Sequence, residues 1–205
     1  MKLLLFGGTF DPPHIGHISL LKNAIAAVRP DRVLVIPANI PPHKQASATP
    51  GNVRRAMCAC FVPLHPALEV SDIELRRKGK SYTLLTVQEL LALYPGADMY
   101  MCIGSDMLLS FTGWYRYREL LQTVTLVVQN RLHEDEALSY KAAEVLRNEG
   151  AKILFASGEV EEISSSGLRA ALAAGENVWA QIPSPASDIA RRLRLYAPPE
   201  KGPVQ

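Results

Sequence analysis

Two hydrophobic patterns alternate along the chain. Continuous apolar runs at Lys2 to Phe6, Arg32 to Ile36, Met99 to Ile103, Thr123 to Val128 and Lys152 to Phe155 have the length and density of strands buried on both faces of a parallel sheet. Between them, Ile18 to Val28, Val53 to Val62, Thr83 to Leu93 and Ala137 to Leu146 carry apolar residues at three- and four-residue spacing, the mark of helices with one buried face. Strands alternating with helices predict right-handed βαβ units, and so an α/β, Rossmann-like fold with a mostly parallel sheet and helices on both faces. Ligands of such sheets bind at the carboxyl ends of the strands, where the strand order reverses. The segment Pro37 to Gly51 holds four prolines and few apolar anchors and reads as a long loop over that edge. The length suits a single domain over residues 1–197. Residues 198–205, with three prolines and a glycine, read as a flexible tail.

Composition narrows the class. A hydrophobic share of 48% and a charged share of 20% are those of a globular protein and exclude disordered and collagen-like chains. The net charge of +2 gives no electrostatic footprint for a nucleic acid, whereas a small anionic substrate needs only a local cluster of positive charge. Cys58, Cys60 and Cys102 form no CxxC pair, and their odd number argues for a reducing compartment rather than a disulfide framework. Cys58 and Cys60 fall on different faces of the expected helix and read as structural. The apolar start Leu3 to Phe6 stops at Gly7-Gly8, too short for a signal-peptide core or a membrane span. A cytoplasmic protein with no membrane partner is expected; a monomer and a homo-oligomer are equally compatible with the sequence.

The chemistry concentrates in Gly7-Gly8-Thr9-Phe10-Asp11-Pro12-Pro13-His14-Ile15-Gly16-His17, directly after the first strand and before the first helix. Gly7 and Gly8 let the backbone approach a phosphate closely, and the helix start offers N–H groups and the positive end of its dipole. The segment is neither a Walker loop nor a GxGxxG dinucleotide turn. It has instead His14 and His17 around Gly16, three apart at a helix start, so that both imidazoles can face one side and stabilise charge developing on phosphate oxygens. The alternative is that one histidine caps the helix and the other packs.

This segment resembles the HxGH signature of the nucleotidylyltransferase superfamily, and among its members is most similar to the bacterial nicotinate-nucleotide adenylyltransferases. Further motifs carry the resemblance: Pro41-Pro42-His43-Lys44 is similar to a PPHK loop, Ser81-Tyr82-Thr83 to an SYT segment, Gly104-Ser105-Asp106 to a GAD or GSD turn, Trp114 and Arg116 to an aromatic stretch before a helix, and Ile163 to Arg169 to ISSTxIR. The likeness spans Met1 to about Ala197. The chain departs from the pattern at Leu85, where relatives commonly have Asp, at Gln129-Asn130-Arg131, where they have RPG, and at Ser166, where they have Thr.

The resemblance implies an enzyme that transfers adenylyl from ATP to nicotinate mononucleotide in NAD biosynthesis, giving deamido-NAD and pyrophosphate. It implies Mg²⁺ held mainly by the ATP phosphates, with no metal site on the protein. ATP would lie on Gly7, Gly8, Thr9, Phe10, Gly104, Asp106, Ser164, Ser165 and Ser166, with His14, His17, Arg169 and Lys44 at the phosphates. Each assignment has a physical basis and a plainer alternative. Ser164 to Ser166 precede an apolar spacing and are natural helix caps, with Arg169 one turn in able to grip a polyphosphate; plain capping beside a surface Arg is the alternative. Lys44 is a mobile charge on the long loop or a solvated lysine. Asp106 accepts from ribose hydroxyls, caps the next helix, or both. Trp114 and Tyr115 offer faces for a pyridine ring or pack in the core. Tyr82 and Thr83, at a helix start, can receive the nicotinate carboxylate on backbone N–H groups, which an amide would not exploit equally. Arg76, Arg77, Lys78 and Lys80 read as a solvated basic turn.

The expected mechanism is in-line attack of the mononucleotide phosphate on the α-phosphorus, with no covalent intermediate and no general base. A phosphopantetheine adenylyltransferase, a cytidylyltransferase, a nucleotide-binding sensor without turnover, and a Rossmann oxidoreductase are the rival readings.

Overall fold

The computed structural model describes residues 1–42, 46–129, 136–159 and 161–197. Among these residues, six strands follow in chain order: β1 (Lys2–Gly8), β2 (Arg32–Pro37), β3 (Leu68–Val70), β4 (Asp98–Gly104), β5 (Thr125–Gln129) and β6 (Lys152–Phe155). They form one sheet in the order β3-β2-β1-β4-β5-β6, every pair parallel. The order reverses between β1 and β4, so a crevice opens beyond the ends of these two strands. Gly7 and Gly8 end one strand, and Gly104 ends the other.

The five expected strands are all present, shifted by at most two residues at an end. The sixth, β3, escapes the apolar pattern because it is three residues long with exposed Glu69 in its middle. Its place is set by pairing, Val33 against Leu68 and Val35 against Val70.

Among the described residues, eight α-helices surround the sheet: α1 (Ile15–Val28), α2 (Gly51–Met57), α3 (Thr83–Leu93), α4 (Ser105–Leu109), α5 (Tyr117–Thr123), α6 (Glu136–Asn148), α7 (Ser165–Ala173) and α8 (Ala186–Arg192). The helix expected over Val53 to Val62 is α only as far as Met57, then tightens to a 3₁₀ segment, Cys58–Leu64, that contains Pro63. Proline removes a donor and crowds the preceding turn, which ends a regular α-helix. As a result Cys58 and Cys60, expected on different faces, share one core cluster. Burial pushes the Cys60 thiol up to about 12, so it stays protonated and inert at neutral pH.

The core lies on both faces of the sheet. Along β1 the residues alternate: Leu3 and Leu5 pack with Leu90, Leu120 and Leu146 of α3, α5 and α6, whereas Leu4 and Phe6 pack with Leu20, Leu21 and Ala24 of α1 and with Phe61. This is the two-residue period of a strand buried on both sides. A third cluster, with Met57, Leu168, Leu172, Ala186 and Ala190, joins α2, α7 and α8 beside the crevice. No helix among the described residues is long and apolar enough to cross a membrane.

Candidate active site

At the start of α1 the two histidines cap each other. His14 is the N-cap, in extended backbone; its Nδ1 accepts from the His17 N–H at 3.3 Å, and Nδ1 of His17 accepts from the His14 N–H at 3.3 Å. This is a capping box in which imidazoles replace the usual hydroxyl and carboxylate. The rings lie 3.7 Å apart at 31°. Because each Nδ1 is an acceptor, the proton of each neutral ring sits on Nε2, the atom able to donate to an oxyanion. Capping uses Nδ1 of each ring and phosphate binding would use Nε2, so the readings posed as alternatives from the sequence are compatible.

The two glycines of the turn have different tasks. A Cβ on Gly7 would meet nothing within 4 Å, so its backbone faces open space, as close approach of a ligand requires. A Cβ on Gly8 would lie 2.8 Å from the Phe10 ring. Phe10 is itself a core residue, 1% exposed, held at φ 51° with its ring against Phe6, Phe61 and His17. It shapes the turn from beneath.

The third side of the site is α7. Ser164 caps it, accepting from the Gly167 N–H at 3.0 Å; Ser165 Oγ donates to the Pro12 carbonyl at 2.8 Å, and Arg169 Nη1 donates to the Asp11 carbonyl at 2.7 Å. The β1–α1 turn and α7 are thereby stitched together. Gly104 is the N-cap of α4, and exposed Asp106 lies in its first turn. Gly7, Gly8, Thr9, Phe10, His14, His17, Gly104, Asp106, Ser164, Ser165, Ser166 and Arg169 all line one cavity of about 880 Å³. Every ATP-side residue expected from the sequence is here except Lys44, which lies outside the described residues together with Asn130 and Arg131.

The sequence did not point to the network behind this cavity. The Asp11 carboxylate, 4% exposed, accepts from Ser47 Oγ at 2.6 Å and from the Tyr196 hydroxyl at 2.5 Å. Burial, then the bond to Asp11, pushes the Tyr196 phenol up, so it remains a donor. Arg54, 2% exposed, donates to the Thr9 and Thr49 carbonyls at 2.8 and 3.1 Å. Burial lowers its pKa and Asp11 offsets part of that. A readable signal existed for Arg54: it stands one turn before Met57 on a helix face that is otherwise apolar.

A smaller, mostly apolar cavity of about 180 Å³ opens on the other side of the turn, lined by Tyr82, Thr83, Trp114, Tyr115, Thr86 and Glu74 among others. Tyr82 is the N-cap of α3, without a side-chain cap, so the N–H groups of the first turn point to this cavity's end of the helix. Trp114 stacks on Phe111, centroids 4.9 Å apart, and exposed Tyr115 leans on Tyr82 at 4.5 Å. Core packing and cavity lining again coexist. Buried Glu74 accepts from Thr86 Oγ1 at 2.8 Å, and Arg77 donates to that same oxygen at 2.9 Å while pairing with Glu89 at 2.7 Å. Burial raises the Glu74 pKa; the Thr86 and Ser81 hydroxyls and the Arg77 charge hold back part of the rise. Arg77, expected as part of a solvated basic turn, is therefore a structural strut. Leu85 is on the exposed side of α3, and its neighbours Thr86 and Val87 line the cavity.

The two cavities share a wall made by Gly7, Gly8 and Thr9 with Cys102, Ile103 and Met107. Among the described residues, no three His, Cys, Asp or Glu side chains gather as a metal site.

Residues 5–171 match the sequence profile of the cytidylyltransferase-like family. A protein of Exiguobacterium sibiricum named "Probable nicotinate-nucleotide adenylyltransferase" is 34% identical over 197 residues, covering 96% of this chain and all of the relative. The chain belongs to the nicotinate-nucleotide adenylyltransferases of the cytidylyltransferase-like family. A relative of the same name from Oceanobacillus iheyensis is 41% identical over 127 residues, which are 62% of this adenylyltransferase and 66% of that one. The fold matches the solved structure of Plasmodium falciparum nicotinic acid mononucleotide adenylyltransferase complexed with NaAD, with a TM-score of 0.74 at 17% identity over 95% of this chain and 97% of that one.

Proposed function

We propose that this adenylyltransferase joins ATP to nicotinate mononucleotide, releasing pyrophosphate and deamido-NAD. The observation that carries the reading is the pair of adjoining cavities. The polar one, with the histidine pair and Arg169, suits ATP; the small apolar one, with Trp114, Tyr115 and the start of α3, suits a pyridine ring and its carboxylate. Their shared wall at Gly7 carries no side chain, which lets the acceptor phosphate reach the α-phosphorus along the line of attack.

A bond forms between an acceptor phosphate oxygen and the α-phosphorus as the bond from that phosphorus to the bridging oxygen of pyrophosphate breaks. The attacking phosphate is anionic at neutral pH, so positioning and charge stabilisation suffice. Nε2–H of His14 and His17 meets the oxygens that gain charge, and Arg169 with the α7 N-terminus receives the leaving pyrophosphate. Mg²⁺ on the polyphosphate would offset part of its charge; Asp106, which lines the same cavity, would be the carboxylate to help hold it, and an ion ligated mainly by phosphate and water would need little more from the protein. The proposed unit is a single domain over residues 1–197, working in the cytoplasm.

The deciding experiment measures pyrophosphate release from ATP and Mg²⁺ with nicotinate mononucleotide, nicotinamide mononucleotide or phosphopantetheine as acceptor. Turnover with the nicotinate substrate and a much weaker response to the other two is expected. Preference for either of the others would overturn the acceptor assignment, and silence with all three would overturn the enzymatic reading.

A further inference from the structure

We propose that Arg194 is a second polyphosphate-binding cation of the ATP site, delivered by the turn that ends α8. The inference rests on the placement of ATP in the larger cavity. Beyond Arg192 the chain closes with two backbone bonds, Arg194 N–H to the Arg191 carbonyl at 3.1 Å and Leu195 N–H to the Ala190 carbonyl at 2.9 Å. With φ at 50° on Arg194, this is the Schellman ending of a helix, and the left-handed residue in it is the slot that glycine fills without strain. Here it is filled by an arginine that lines the phosphate cavity with His14, His17 and Arg169.

The turn is fixed by the two residues that follow. Leu195 and Tyr196 pack against the cluster that joins α2, α7 and α8, and the Tyr196 hydroxyl is bound to Asp11. The left-handed backbone is thus held by its surroundings, as strained residues at functional sites are. Arg29 and Arg116 also have left-handed backbone, φ 49° and 51°, so strain alone does not distinguish Arg194. Of these three, only Arg194 borders the cavity.

Charge points the same way. Among the described residues lining the cavity, Arg169 and Arg194 are the permanent cations, against the carboxylates of Asp11 and Asp106. A triphosphate placed there meets no net positive charge from Arg169 alone. The flexible, always-charged guanidinium of Arg194 supplies the balance and suits phosphate oxygens in pairs.

The test is steady-state kinetics and thermal melting of Arg194→Gly and Arg194→Gln. The glycine variant removes both charge and strain, and the glutamine variant removes only the charge. Both are expected to raise the KM for ATP about tenfold, the loss of one charge-assisted contact, with the KM for nicotinate mononucleotide within about twofold of the parent. The glycine variant is expected to melt no lower than the parent, a combination that loss of a merely structural residue would not give. An ATP KM unchanged in either variant overturns the assignment. Arg169→Ala, run alongside, separates the two levels of the reading: if it too leaves the ATP KM unchanged, the placement of ATP fails. If it alone raises that constant, only the role of Arg194 fails.

Discussion

The carbonyl oxygen of Glu161 stands 2.6 Å from the point where a Cβ on Gly16 would begin, and the His14 ring stands 3.1 Å from it. The middle position of the histidine motif is therefore glycine for want of space, with backbone on one side and the His14 ring on the other. Gly16→Ala has to displace one of them. Overpacking of this kind costs about 1–3 kcal/mol, and a shifted His14 misplaces its donor. The expected outcome is a lower Tm together with a kcat reduced by at least about tenfold, read by calorimetry and pyrophosphate release on the same preparation. Parental values for both would show that the carbonyl yields freely.

The mutual capping of His14 and His17 can be separated from their chemistry. Asparagine is among the best N-cap residues, so His14→Asn keeps the helix start and loses the Nε2 donor. Its Tm is expected near that of the parent, with kcat down about 10²–10³-fold. His17→Ala is expected to lose a similar factor in kcat and some stability besides, since the His14 N–H loses its acceptor. Full activity in either variant contradicts the role given to that ring.

Glu74 makes a pH-dependent contribution to stability of calculable sign. Burial raises its pKa in the folded protein, so the folded state holds the proton more tightly than the unfolded chain does. Below the ordinary carboxyl range both states are protonated and the contribution vanishes; as pH rises from there through the raised folded value, ionisation costs stability. Glu74→Gln preserves the acceptor for Thr86 and cannot ionise. The Tm of Glu74→Gln minus that of the parent should therefore grow more positive from about pH 4 to about pH 7. A difference that is flat or falls over this range refutes the sign.

Trp114 stacks on Phe111 and also lines the small cavity. Trp114→Phe keeps an aromatic platform of smaller area, and Trp114→Ala removes it. The KM for nicotinate mononucleotide should rise in that order, by about tenfold for alanine, with the ATP KM nearly unchanged. An equal rise in both constants would mean that the substitution perturbs the whole crevice.

The sheet was legible in the chain because buried parallel strands announce themselves as apolar runs; β3 was not, because its three residues draw their order from pairing with β2. The glycine–histidine turn was legible as a candidate site because glycines and histidines at a strand–helix junction have few other uses, and it does line the larger cavity. The residues behind it were hidden for a physical reason. Asp11 in a proline-rich turn looks like any turn aspartate, and Tyr196 lies almost at the boundary of the expected tail. What makes them partners is a contact across the whole length of the chain, which local pattern does not encode. Glu74 was masked by the basic residues that follow it, and its value lies in hydroxyls supplied by Ser81 and Thr86.

The hydrogen bond from Tyr196 to Asp11, spanning 185 positions, also sets a clock on synthesis. The first strand, the glycine turn and both histidines leave the ribosome well before the segment that braces Asp11 and lines the cavity with Arg194. In that interval a nascent chain carries these groups without the enclosure that gathers them in one cavity. The crevice is enclosed only when these two distant segments meet.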